Sequence, residues 1–203
     1  MAFFLRAKHW QLFLLFFVIP FVLQFFLIFG LITQQSPNLV SGDAKIFPII
    51  MLLFIGTLFG WFWAVATGLQ KLIPSTIKMK VIKFKIFFLI PLVYMILFCV
   101  FLGLVFSNMN GSLDFSPLLI FAIIFPLHIF SMFCIFYCIY FVSKTIKTAE
   151  LQRPVTFSEF AGEFFLTWFF MIGVWILQPR INNLVNKENG AGLSTDTTTQ
   201  SFF

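Results

Sequence analysis

Pro154–Leu184, PVTFSEFAGEFFLTWFFMIGVWILQPRINNL, is an apolar core with Glu159 and Glu163 at its entrance and Gln178-Pro179-Arg180 at its exit. Its path decides the fold. A straight helix here adds a fifth membrane crossing, whereas a helix that turns back leaves both its ends on one side. The start is well marked: Thr156 with Glu159 three residues on is a capping box, and Val155 with Phe160 has the spacing of a hydrophobic staple. Pro179 is the expected stop. The uncharged core Phe164–Leu177 is 14 residues long, about 21 Å as a helix and short of the ~30 Å hydrocarbon layer. Counting from Phe160 gives 18 residues but draws Glu163 into the interface, where a carboxylate is costly unless paired or protonated. The core has no polar face with which to float on a surface, which leans the reading slightly toward crossing. The two paths differ in one distance: Glu163 and Arg180 lie some 25 Å apart on a straight helix and can pair only if the chain folds back.

The surrounding chain is membrane material. It has 203 residues, 61% hydrophobic, 21% aromatic and only 10% charged, with 34 phenylalanines. One soluble core of this size cannot hide so much apolar surface, so lipid must be part of its solvent. The net charge of +6 comes from residues that flank apolar runs, where they set orientation and meet anionic head groups. Nucleic acid is therefore not an expected partner. Cys99, Cys134 and Cys138 lie inside apolar runs and read as small buried hydrophobes, with no disulfide framework implied.

Five segments follow from the pattern, at about 10–32, 46–69, 86–106, 117–143 and 160–178, within a single helical domain ending near 185 and followed by a polar, disordered tail over 186–203. The first is read as an uncleaved membrane helix, kinked at Pro20, with Gln24 near mid-membrane as glue to a neighbouring helix. In the second, Gly56, Gly60, Ala64 and Gly68 recur every four residues and clear one face for the close approach of another backbone. That face serves either packing within the chain, which is favoured, or a contact with a membrane-protein partner or a second copy. Between the second and third segments, Lys78, Lys80, Lys83 and Lys85 alternate with apolar residues, as suits a stretch lying in the interface against anionic lipid. Asn110-Gly111-Ser112 matches a glycosylation triplet but sits in too short a loop to carry weight. The fourth segment is expected to continue as one helix from Pro117 to about Gln152, stopped by Pro154.

Charge sets the orientation. With four spans, a cytoplasmic N-terminus and a last segment that returns, twelve of the 13 Lys and Arg residues lie inside and only Lys45 outside. If the last segment crosses, Arg180 and Lys187 move outside and the split is ten to three, which still obeys the positive-inside rule. The expected location is a plasma or inner membrane.

Two constellations could carry chemistry. Glu159 is explained by the capping box, but Glu163 is not, and two carboxylates at i, i+4 repel unless a cation intervenes. Arg180, Lys147 and Arg153 are the candidate cations, with an ion or proton site as the sharper alternative. His128, two residues after Pro126, is the only histidine inside an apolar span; its simplest role is a hydrogen bond to a carbonyl freed by that proline, and its sharper one a proton or substrate contact. No zinc-protease, nucleophile-elbow or phosphate-loop motif occurs, and neither a cofactor nor a metal is signalled. The fold class is thus an all-α polytopic integral membrane protein with four transmembrane helices and a fifth embedded helix, crossing or re-entrant. Its expected role is that of a non-catalytic accessory or scaffold subunit, packing through the small-residue face and binding anionic lipid. The alternative is a small transporter or channel for protons or solutes that uses His128 and Glu163.

Overall fold

The computed structural model describes residues 2–33, 46–107 and 117–199, which fall into helices with no strand among them. In chain order these are α1 (Ala2–Arg6), α2 (His9–Phe13), a π-helical stretch (Leu14–Val18), α3 (Ile19–Thr33), α4 (Ile46–Gly68), a 3₁₀ turn (Leu69–Leu72), α5 (Val81–Ser107), α6 (Pro117–Leu151), α7 (Phe157–Trp168) and α8 (Phe170–Thr199). Four stretches are long and apolar enough to cross a membrane: His9–Gly30, Phe47–Leu72, Val81–Val105 and Phe121–Leu151. The loop over 34–45 with Lys45, and the Asn110–Ser112 triplet, lie outside the described residues.

Each departure from regular helix has a local cause. Pro20 lacks an N–H and its ring crowds the carbonyl four residues back, and the π-helical stretch Leu14–Val18 absorbs both defects immediately before it. The third long helix starts at Val81, five residues before the expected Ile86. Alternation over a few residues cannot distinguish a surface-lying segment from a first helical turn, and Phe84, fully buried, packs at a tilt against Phe88, centroids 5.5 Å apart, at the i, i+4 spacing of a helix. α6 ends as expected at Leu151, but ahead of Pro154 the stop is Gln152, which takes a left-handed conformation (φ 55°).

The chain divides into two compact units. One comprises Leu14–Phe59 and Ile82–Cys138. Its internal contacts include aromatic pairs, Phe59 against Phe88 at 5.2 Å and Phe87 against Tyr137 at 4.7 Å. The other comprises Met1–Phe13, Gly60–Val81 and Ile139–Phe203, and it contains the opening stretch.

In that second unit the opening stretch is neither straight nor continuous. The helix stops at Phe169, whose ψ of 58° leaves the helical region, and restarts at Phe170. Pro179 does not end it: α8 runs through the proline to Thr199, so residues from 186 on, read from composition as a tail, continue the helix that far. The fold-back is tight. A Cβ added to Gly173 would overlap the carbonyl oxygen of Leu166, so only glycine lets α8 pass the last turn of α7. Glu163 and Arg180, at the two ends of the hairpin, lie 3.2 Å apart. A straight helix would hold them some 25 Å apart, so the lean toward a straight crossing is corrected to a hairpin.

Gly173→Ala is therefore expected to unfold or splay the hairpin, a lesion of roughly 3–5 kcal/mol in the class of severe steric and strain mutations. Gly162→Ala, where an added Cβ meets nothing within 4 Å, should instead be neutral or stabilise by about 0.5–1 kcal/mol. Thermal unfolding of the two variants in detergent compares them directly, and equal stability would refute the close approach.

Candidate functional site

Glu163 sits in the second turn of α7 and is almost fully buried, its side chain 6% exposed. An isolated carboxylate there would be expensive. Its Oε1 accepts from Lys147 Nζ and from Arg180 Nη1, each at 3.2 Å. Lys147 also donates to Glu150 Oε2 at 3.0 Å. Two cations and two carboxylates thus form a neutral quartet, drawn from α6, α7 and α8, that ties both arms of the hairpin to the helix before it. One turn deeper, Ser143 of α6 donates to Thr167 Oγ1 at 3.1 Å, and that hydroxyl donates to the carbonyl of Glu163 at 2.7 Å. Pairing of 147 with 163 and of 143 with 167 shows α7 running antiparallel to α6.

Glu159, the other carboxylate of the pair, has its own cation. Arg153 Nη2 donates to its Oε1 at 2.5 Å, while the Thr156 N–H donates to Oε2 at 2.7 Å, the reciprocal arm of the expected capping box. The Arg153 guanidinium, followed by the Thr156 N–H, holds the Glu159 carboxyl at about 2, well below its ordinary 4.5. The repulsion expected between Glu159 and Glu163 is met by three cations, each assigned.

On the far arm, Gln178 is fully buried and makes four hydrogen bonds. Its Oε1 accepts from the Trp61 indole N–H at 2.9 Å. Its Nε2, with two hydrogens, lies within donating distance of the carbonyls of Phe4 (2.9 Å) and Ala7 (3.0 Å) and of Asn182 Oδ1 (3.1 Å), and Asn182 Nδ2 donates to Ala7 O at 3.1 Å. Two carbonyls at the end of α1, which have no partner within so short a helix, are satisfied this way. Sequence reading placed Gln178 beside the charged residues but missed this role. The available signal was Trp61, because a buried indole N–H needs an acceptor.

The small-residue face of α4 receives α1. An added Cβ at Gly60 would come within 2.9 Å of Phe4 Cε2, and one at Gly68 would overlap Leu5 Cδ1; Ala64 is buried between them. Gly56 alone has open space around it. Packing within the chain thus accounts for Gly60 and Gly68. Lys78 and Lys80 precede α5, Lys83 and Lys85 lie in its first two turns, and all four are exposed.

His128 belongs to the other unit, and its expected bond to a carbonyl freed by Pro126 is absent. That carbonyl is on Ala122, about 9 Å along the axis and beyond an imidazole's reach. Instead Nδ1 lies 3.2 Å from Tyr94 Oη, with the two rings edge to face at 5.9 Å and Phe98 at 6.4 Å from the imidazole. Among the described residues no three His, Cys, Asp or Glu side chains converge as a metal site requires. No protein-family model, curated protein or solved structure matches this chain.

Glu163→Gln leaves Lys147 and Arg180 facing no counter-charge. Breaking a buried pair costs roughly 3–5 kcal/mol, and because Arg180 stays 44% exposed the loss is expected at the lower end of that range. Unfolding midpoints in detergent measure it, and an unchanged midpoint would remove Glu163 from the centre of the hairpin. Glu159 gives a pH signature. With its folded value depressed, its contribution is complete above the ordinary 4.5 and lost as pH falls toward about 2. Hydrogen exchange at the start of α7 should therefore distinguish wild type from Glu159→Gln at pH 7, with the difference shrinking across that window.

Proposed function

We propose that this chain is a non-catalytic multi-pass membrane protein, an accessory or scaffold subunit of a plasma or inner membrane with a cytoplasmic N-terminus. Four helices cross, and the α7–α8 hairpin re-enters from the cytoplasmic side without crossing. The ion pair between Glu163 and Arg180 carries this reading, because it returns Arg180 to the side on which α7 began. From Glu163 to the turn at Phe169 is six residues, about 9 Å, and from Arg180 back to Phe170 ten residues, about 15 Å. Such a hairpin reaches about one leaflet of a ~30 Å core.

Its surface suits that position. Phe165, Trp168, Phe169, Met171, Ile172 and Trp175 are all exposed around the turn, a cluster of large apolar side chains that water would penalise and acyl chains would accept. With the hairpin re-entrant, twelve cations lie on the cytoplasmic side, which favours this topology over the ten-to-three alternative. Lys78, Lys80, Lys83 and Lys85 then face anionic head groups, each lysine contributing about 1 kcal/mol. Their role is to anchor and orient the protein on that leaflet.

The decisive test is the side on which α8 ends. A single cysteine at Ser194, in a chain with Cys99, Cys134 and Cys138 replaced by alanine, is expected to resist an impermeant thiol reagent in intact cells and to react once the membrane is permeabilised. Labelling in intact cells would establish a fifth crossing and overturn the re-entrant hairpin.

A further inference from the structure

Most of the polar side chains described above are satisfied within the chain, and the buried hydroxyls of Ser131 and Thr148 lack a partner among the described residues, but two apolar helices each carry an accessible polar side chain with hydrogen-bonding capacity to spare. Gln24, in α3, is half-exposed and has no hydrogen-bond partner among the described residues. His128, in α6, is exposed, and among the described residues its one hydrogen-bonding contact is Nδ1 with Tyr94 Oη. If the phenol donates to Nδ1, the Nε2–H is left as a free donor. If Nδ1–H donates to the phenol oxygen, the phenolic O–H and Nε2 are left as donor and acceptor. Either tautomer presents an unmet hydrogen-bonding group outward.

By residue count the two groups stand at equal remove from a flanking lysine. Gln24 is 16 residues from Lys8, across α2, the π-helical stretch and the start of α3, and His128 is 16 residues from Lys144 along α6, so each stands roughly 20–25 Å from a flanking lysine. In a bilayer whose hydrocarbon layer is ~30 Å thick, that is inside the core, where neither water nor lipid tails can serve as partner. Each of these helices carries large exposed apolar side chains around its polar group: Phe21, Phe25 and Phe26 beside Gln24, and Leu127 and Phe130 beside His128. A carboxamide has two donors and an acceptor oxygen, so it complements the imidazole–phenol pair in both tautomers.

We infer that the chain self-associates in the membrane, with Gln24 of one copy hydrogen-bonded to the His128–Tyr94 pair of a second copy. The occupant is a second copy because the chain itself supplies both complementary halves at equal remove from a flanking lysine, and a two-fold axis satisfies both sets at once. The neighbouring phenylalanines and leucine supply the packing that drives helix association where the hydrophobic effect is absent. This inference rests on the membrane topology proposed above. The small-residue face of α4 is not needed for it, since Gly60 and Gly68 already receive Phe4 and Leu5.

The test is a quantitative association measurement in vesicles of phosphatidylcholine and phosphatidylglycerol, by energy transfer between differently labelled copies of the full chain, diluted in lipid. Wild type should dimerise. An interhelical hydrogen bond in a membrane contributes about threefold to association, and a two-fold dimer loses it twice, so Gln24→Leu and His128→Leu are each expected to weaken dimerisation about tenfold. The double variant should be no weaker than either single one, because both remove the same contact. Wild type that stays monomeric at every protein-to-lipid ratio, single variants that dimerise normally, or losses that simply add would each overturn the inference. Alkaline carbonate separates this from the topology. Protein washed off the vesicles would refute membrane insertion itself, whereas protein that resists washing but stays monomeric refutes only the interface.

Discussion

The fold of the hairpin unit depends on how a buried carboxylate is neutralised. Glu163, 6% exposed at its side chain, would be left with Lys147 alone, a cation it shares with Glu150, if α7 simply continued as a straight helix, since Arg180 would then sit some 25 Å away. Folding back brings Arg180 to it from one side while Lys147 approaches from the other. Neither cation alone gives a neutral cluster, because Lys147 is shared with Glu150. Such clusters rarely stabilise more than a well-packed apolar substitute, but they discriminate strongly between alternative arrangements. Here the alternatives are a crossing helix and a hairpin, and the quartet can form only in the hairpin.

A second requirement is placed on the turn itself. Antiparallel helices joined at a single residue, Phe169, must nearly touch where they part, and Gly173 against the Leu166 carbonyl is that contact. Once α8 is returned, Gln178 is brought to Trp61 and to the end of α1. α1 is only five residues long and far too short to be stable alone. It persists because Gln178 and Asn182 satisfy its carbonyls while Phe4 and Leu5 fill the cleared face of α4 at Gly60 and Gly68. Carboxylate, turn glycine, buried amide and N-terminal helix thus form a chain of dependence, each element placed by the one before.

What could be read from sequence follows the same division between local and distant causes. The four long apolar helices, the end of α6 at Leu151 and the capping box at Thr156 arise from composition and from residues within a few positions of one another. Length and charge likewise reduced the last segment to two paths separated by the Glu163–Arg180 distance. The choice between them was illegible because it turns on Gly173, one glycine in an apolar run, meeting a carbonyl seven residues back. Pro179 misled for a related reason: proline within α8 loses one backbone bond, which a helix packed by Leu177 and Ile181, both fully buried, can tolerate. Trp61 with Gln178 is separated by 117 positions and no local pattern marks it.

The polar side chains of this protein therefore serve two separate ends. The charged and amide groups at the centre of the hairpin unit close on one another: Glu163 with its two cations, Glu159 with Arg153, Gln178 with four partners. Gln24 and the Tyr94–His128 pair instead stand among exposed apolar neighbours, Phe21, Phe25 and Phe26 on α3 and Leu127 and Phe130 on α6. In water such residues would need no explanation, because solvent would satisfy them. Within a hydrocarbon layer the same residues carry a standing cost that no group of their own helix can remove, and the cost disappears when another helix brings a complementary group to the same depth. On the topology proposed above, Gln24 and the His128–Tyr94 pair are therefore the groups that a helix of a second copy would satisfy.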